Sequence, residues 1–274
     1  MPRSWTKLSL FDYGLLYGYG LFETMRSYNG VIFRLEQHLA RLFKSAEILG
    51  IGKKLAAYDL NKACHQVIKS NKLTNARLRL TVTAGEGDIV PNPSTCDEIT
   101  VFIVARRLVP LPSEIFDRGF TTIISSTTRN SHSLIATLKS TCYLENILAR
   151  QEAKAAGSDE AIILNEKGYV AEASSSNVFI VDQETLITPS LKSGILPGIT
   201  REAVLEIALS HGIKAIEKDI KPEKLLEAEE AFLTNSLIEI MPMTYINSKP
   251  IGTGKPGIIT RRIASVYSEL VNSN

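Results

Sequence analysis

The chain has 274 residues, enough to bury a sizeable core in one large or two modest domains. Hydrophobic residues make up 44% and charged residues 22%, with a net charge of +2, so composition argues for a globular protein and against nucleic acid or an anionic membrane as the main partner. The three cysteines have no CxxC spacing, which argues against a disulfide framework or zinc site and fits reduced thiols in the cytoplasm. The four histidines are scattered, so no metal is expected. The start, Met1 to Lys7, is not followed by a signal-type apolar run, and no stretch is long and apolar enough to span a bilayer.

In chain order, Tyr19 to Tyr28 reads as a strand, turned at Gly30 into a return strand from Val31. Leu35, Leu39, Leu42, Ala46 and Leu49 form one helical stripe, closed by Gly50, and a second helix is expected from Asp59 to about Lys69. Arg77 to Ala84 alternates as a half-buried strand does, and Ile99 to Ala105 is a strand that could pair with it. Arg106 to Pro112 holds two prolines and no periodicity, so a boundary falls there, giving domains 1–110 and 111–274. Strands follow at Phe120–Ser125, Glu160–Leu164, Tyr169–Ala171, Val178–Val181, Thr185–Ile187 and Ala231–Thr234. Helices are expected at Ile199–Ser210 and Ile258–Leu270, and a helix-like run after Lys139. Without a regular βαβ alternation the class is α+β.

Lys139 lies among small and hydroxyl residues. A helix N-terminus directly after it would favour the neutral amine that imine formation requires. Glu172 begins a run without bulk, Ala173 to Ser176, that a flat ring can approach, and a charged acid there can hold a proton on a pyridine nitrogen. Leu196-Pro197-Gly198-Ile199-Thr200-Arg201 opens a helix with free backbone N–H groups, a ready phosphate site. Thr234-Asn235-Ser236 offers further donors, and Arg41, one helical turn from His38, offers a charge-assisted phosphate contact. Taken singly, each also reads as a solvated side chain, a plain helix cap or a turn. Gly18-Tyr19-Gly20 lacks the third glycine of a dinucleotide fingerprint and opens a strand, so that reading fails.

Five segments in order give the set its specificity: Tyr17 to Thr24, His38-Leu39-Ala40-Arg41-Leu42, Leu138-Lys139 with Tyr143-Leu144, Asp159-Glu160-Ala161 with Glu172 to Phe179, and Leu196 to Arg201. Together they resemble the class IV, or fold-type IV, pyridoxal-phosphate enzymes: branched-chain aminotransferases, D-amino-acid aminotransferases and aminodeoxychorismate lyases. The resemblance implies a two-domain, D-amino-acid-aminotransferase-like fold with pyridoxal 5'-phosphate between the domains, the cofactor lysine in the second, and a homodimer. It implies that Lys139 forms the internal aldimine and shuttles the proton. Glu172 would pair with the pyridine nitrogen and Tyr143 would contact the phenolic oxygen. Arg41, Ile199, Thr200 and Ser236 would hold the phosphate, and Tyr17, Phe22, Ser175 and Leu237 would meet the substrate. The loop Ala84 to Val90 lacks the Arg-x-His carboxylate trap of D-amino-acid enzymes. Asn235-Ser236-Leu237 and Met241-Pro242 look more like the lyases. The activity expected is transfer of an amino group between an amino acid and a 2-oxo acid. The alternative is 4-amino-4-deoxychorismate lyase, and a third reading, a cofactor-binding protein without activity, sits poorly with both Lys139 and Glu172 being present.

Overall fold

The computed structural model describes residues 6–273; Met1 to Trp5, read above for a leader, lie outside the described residues. The chain divides into two compact units. The first comprises the described residues through Leu108 together with Leu138–Tyr143; the second comprises Val109–Thr137 and the described residues from Leu144 on. The sequence reading places Lys139 in the second domain. Its segment groups with the first because it lies alongside a strand there.

The first unit runs α1 (Tyr13–Leu16), β1 (Gly20–Tyr28), β2 (Val31–Ile32), α2 (Leu35–Ile48), α3 (Gly52–Leu55), α4 (Leu60–Ser70), β3 (Ala76–Thr83) and β4 (Thr100–Arg107). Its four strands form an antiparallel sheet in the order β2-β1-β3-β4. Strand periodicity sends Leu21, Met25, Leu78, Leu80 and Val82 to one face, where they bury with Leu39, Leu42 and Ala46 of α2 and with Cys64 and Ile68 of α4. Each large apolar side chain so buried contributes roughly 1.5–3 kcal/mol. Glu23 falls on this same apolar face, between Leu21 and Met25, and is 1% exposed. A carboxylate there needs partners, which α2 supplies. Asp12 is also buried. It caps α1 by accepting from Gly14 N (2.7 Å) and ties that helix to β3 and β4 through Thr83 Oγ1 (2.8 Å) and Thr100 Oγ1 (2.7 Å).

The second unit runs α5 (Ser113–Arg118), β5 (Phe120–Arg129), α6 (Leu144–Ala155), β6 (Glu160–Asn165), β7 (Val170–Ala173), β8 (Asn177–Asp182), β9 (Thr185–Thr188), α7 (Ile199–Ser210), β10 (Ala215–Glu217), α8 (Pro222–Glu227), β11 (Glu230–Asn235), β12 (Glu239–Ile246), β13 (Lys249–Pro250) and α9 (Ile258–Asn272). Its sheet has the order β10-β9-β8-β11-β12-β5-β6-β7, with β13 on β12. Parallel pairs (β10 with β9, β12 with β5, β5 with β6) mix with antiparallel ones, as an α+β class allows. Val178, Ile180, Leu233, Met241 and Met243 form one core, and Phe179 stacks on Phe232 with centroids 4.9 Å apart.

The strands and helices expected from the sequence are present with small shifts at their ends. The exception follows Lys139. Ser140 makes an isolated antiparallel bridge to Leu21, and α6 begins only at Leu144, so Lys139 is not in the first turn of a helix. The macrodipole falls off within that turn, so the expected effect on the amine does not apply. No helix among the described residues is long and apolar enough to cross a membrane.

Candidate active site

Each unit carries its own set of functional groups. In the first, Lys139 is placed by backbone pairing. Phe22 N–H donates to Lys139 O (2.8 Å), Thr141 N–H donates to Gly20 O (2.9 Å), and Leu21 bridges Ser140. The close approach relies on Gly18, at φ +64°, where a Cβ would lie 2.7 Å from Cys142 Sγ. This pairing sets the Lys139 amine over the Phe22 ring, 4.6 Å from its centroid. Tyr143 meets the same ring edge-on at 5.5 Å, and the Arg79 guanidinium stacks 3.6 Å from its centroid. Phe22 therefore organises Lys139, Tyr143 and Arg79. Burial, with the charge of Arg77, pulls the Arg79 pKa below its ordinary value. A cation held this way suits a ligand carboxylate.

Arg41 and Glu23 form a fork: Arg41 Nε donates to Oε1 (2.8 Å) and Nη2 to Oε2 (2.6 Å), while His38 Nδ1 lies 2.7 Å from Oε2. Burial alone would raise the Glu23 carboxyl, but the Arg41 charge and the hydrogen bonds from His38 and Arg41 override it and hold the pKa at about 2. His38 is pushed down, mainly by burial and also by the charges of Arg41 and Lys139.

Glu23 titrates below its ordinary value of 4.5, so its contribution is fully present above about pH 4.5 and is lost as pH falls through about 2. A displacement of that size corresponds to roughly 3 kcal/mol. Chemical denaturation of Glu23→Gln is expected to show lower stability at neutral pH and a flatter profile between about pH 4.5 and 2 than the wild type. Parallel profiles would contradict the pairing.

Tyr17, on the C-terminal side of α1, is partly exposed, and its hydroxyl donates to Ile89 O in the loop between β3 and β4. That loop also hangs on Tyr13, whose hydroxyl reaches Asp88 O (2.7 Å) and Val90 O (2.9 Å). Ile89 and Val90 themselves are exposed.

In the second unit Glu172 sits on β7, 6% exposed. Arg129 Nη1, at the end of β5, donates to Oε1 (2.6 Å), and Asn177 Nδ2 (3.2 Å) and Leu196 N (3.0 Å) donate to Oε2. A charged partner and two amides make this a fixed anion. Asn177 also donates to Leu196 O (3.0 Å), joining Glu172 to the segment that opens α7. The cap of α7 is Gly198, with no side-chain hydrogen bond to the helix, and a Cβ there would overlap Asn177 Oδ1. The N–H groups of Ile199 and Thr200 thus belong to an uncapped first turn. On the strand position paired with Asn177, the Thr234 hydroxyl is buried and without a hydrogen-bond partner. Ser236 and Leu237 follow in the turn after β11. Ser175 gives its hydroxyl to Glu160 Oε2 (3.0 Å), which makes it a structural contact in this arrangement.

Each unit's set suits a part of pyridoxal phosphate. Its aldehyde needs an amine, its ring nitrogen a buried anion, and its phosphate a helix N-terminus with hydroxyls and a guanidinium. The uncapped helix and the unpartnered Thr234 hydroxyl are the observations that ask for a ligand. Sequence reasoning missed Arg129 and Arg79. Arg129 lies 43 residues before its partner, and Arg79 carries no local signal beyond strand alternation. No group of three or more His, Cys, Asp or Glu able to hold a metal occurs among the described residues.

Comparison with known proteins gives the family. The model for amino-transferase class IV matches residues 20–246. A branched-chain-amino-acid aminotransferase of Pseudomonas aeruginosa is 32% identical over 264 residues, covering 94% of this chain and 86% of that protein. A D-alanine aminotransferase of Bacillus licheniformis is 31% identical over 275 residues, covering 100% and 95%. Among solved structures, that of the Escherichia coli branched-chain amino acid aminotransferase superimposes with a TM-score of 0.93 at 30% identity, covering 100% of this chain and 92% of that one. The chain belongs to the class IV aminotransferases, a family of pyridoxal-phosphate enzymes. These relatives favour the aminotransferase reading over the lyase.

Proposed function

We propose that this chain binds pyridoxal 5'-phosphate through Lys139 and moves the amino group of a branched-chain amino acid to a 2-oxo acid. The observation that carries the reading is Glu172, a buried carboxylate kept anionic by Arg129 and aimed by Asn177 and Leu196 N–H. When bound, the cofactor supplies the electron sink for a carbanion. Lys139 would take up the substrate α-proton and release it again in the course of the transfer. Glu172 holds a proton at the ring nitrogen. Tyr143 would meet the phenolic oxygen, and Arg41, Ile199, Thr200 and Ser236 would hold the phosphate. Phe22, Tyr17 and Leu237 shape the substrate space, and Arg79 draws the carboxylate of a donor or acceptor. Branched-chain donors are favoured over D-alanine because the loop after β3 presents Ile89 and Val90 rather than a cationic trap. We take the working form to be a cytoplasmic homodimer, in keeping with the exposed Phe102 and Val104 on β4.

A single half-reaction tests this. Leucine or valine alone is expected to convert the visible cofactor band to the pyridoxamine form, and a 2-oxo acid to restore it. If no amino acid of either hand changes the band, while aminodeoxychorismate yields pyruvate and 4-aminobenzoate steadily, the lyase replaces the aminotransferase.

A further inference from the structure

One side chain builds the turn after β11 and ties it to a second loop. The Asn235 amide oxygen accepts from the N–H of Leu237 (2.8 Å) and of Ile238 (2.9 Å), closing the turn. Its amide nitrogen leaves the turn and donates to Ser175 O (3.0 Å) and Ser176 Oγ (2.9 Å). The receiving loop, 174–176, starts two residues after Glu172 and is held from its other side as well. Glu160, 1% exposed, accepts at Oε1 from Ser174 Oγ and Ala161 N (2.8 Å), and at Oε2 from Ser175 Oγ and Arg150 Nη1 (2.6 Å). Asn146 Nδ2 donates to Ser174 O (2.7 Å). The loop is therefore fixed by Glu160 and Asn146 on one side and by Asn235 on the other.

We infer that Asn235 is a positioning residue that sets the spacing between the Ser236–Leu237 turn and the 174–176 loop, and so selects which substrates fit. The inference rests on the placement of Ser236 and Leu237 in the site proposed above. A site must be held to within about 0.5 Å to work well, and a clamp of two neutral hydrogen bonds is a modest tether that can be cut without unfolding the chain. A neutral amide suits this role, because its donor and acceptor ends serve different loops at once without bringing charge near a bound phosphate.

Asn235→Ser separates the two functions. A serine hydroxyl accepts a turn N–H but is too short to reach residues 175 and 176. Two readouts are compared with the wild type. In steady-state kinetics of the holoenzyme, KM for amino donor and 2-oxo acid is expected to rise about tenfold, with kcat, cofactor affinity and Tm close to wild type. In hydrogen exchange of the protein without substrate, the Ala173 amide, which donates to Ser176 O (2.7 Å), is expected to lose about tenfold protection, with α7 unaffected. Unchanged KM in an active enzyme, or unchanged exchange at Ala173, overturns the clamp and leaves Asn235 as a turn-builder. A joint fall of kcat, cofactor affinity and Tm overturns it in favour of a general structural role. If the wild type transaminates no amino acid, the functional reading fails. The exchange result then still decides whether the clamp exists, and the role in substrate selection falls with that reading.

Discussion

Lys139→Ala is expected to lower kcat for transamination by about 10⁴-fold or more, the upper end of what a positioned general base contributes. Lys139 is assigned both the covalent link to the cofactor and the proton transfer, so no neighbour replaces it. That loss corresponds to about 5–6 kcal/mol of barrier. The fold should survive, because Lys139 is held by main-chain bonds (its carbonyl to Phe22 N, and Thr141 N to Gly20 O) that alanine keeps. Tm within a few degrees of wild type, alongside the kinetic loss, is the expected pair of results. A variant that retains a tenth of the activity would remove Lys139 from the centre of the account.

Glu172→Gln comes second, with an expected fall in kcat of about 10²–10³-fold at saturating cofactor, comparable to the loss of one preorganised electrostatic contact. Glutamine keeps one acceptor oxygen where Arg129 and the Leu196 N–H each use one, so its amide NH2 faces one of these donors, and it no longer balances a charge. Arg129 is 9% exposed along its side chain, so a stability cost of roughly 1–3 kcal/mol is expected as well. Cofactor affinity should change less than turnover, because the phosphate contacts are untouched. Turnover within about threefold of wild type at saturating cofactor would contradict the role given to this acid.

The parts of the fold legible in the sequence have local signals. Helix α7 begins after Pro197-Gly198 and ends at Ser210 with Gly212 beyond it, as the cap residues dictate. The alternation from Arg77 to Thr83 is the sheet face itself, with Leu78, Leu80 and Val82 turned to the core. Strand β12 is not legible, because Pro242 sits in its interior and the residues next to it, Ile240, Met241 and Met243, show no polar–apolar alternation. The ladder to β5 begins only at Met243, after the proline. The short α5 and α8 carry too few residues for a periodic pattern. The pairing of residues 139–141 with β1 brings together positions roughly 120 apart in sequence, and no local rule encodes it.

The candidate site divides in the same way. Residue type and order are enough to propose Lys139, Glu172, Arg41 and the opening of α7. What holds them is not legible. Glu23 reads as a strand residue until its burial beside His38 and Arg41 is seen, and Arg129 reads as a strand end until it meets Glu172. A motif points to the proposed reacting groups, and tertiary packing supplies their partners.

The most direct test is to reduce the purified, cofactor-saturated enzyme with borohydride, digest it and find the labelled lysine by mass spectrometry. A phosphopyridoxyl mass on the peptide containing Lys139, absent from an unreduced control, is the expected result. A label on any other lysine, or none after cofactor has been added, would contradict the assignment on which the proposed function rests.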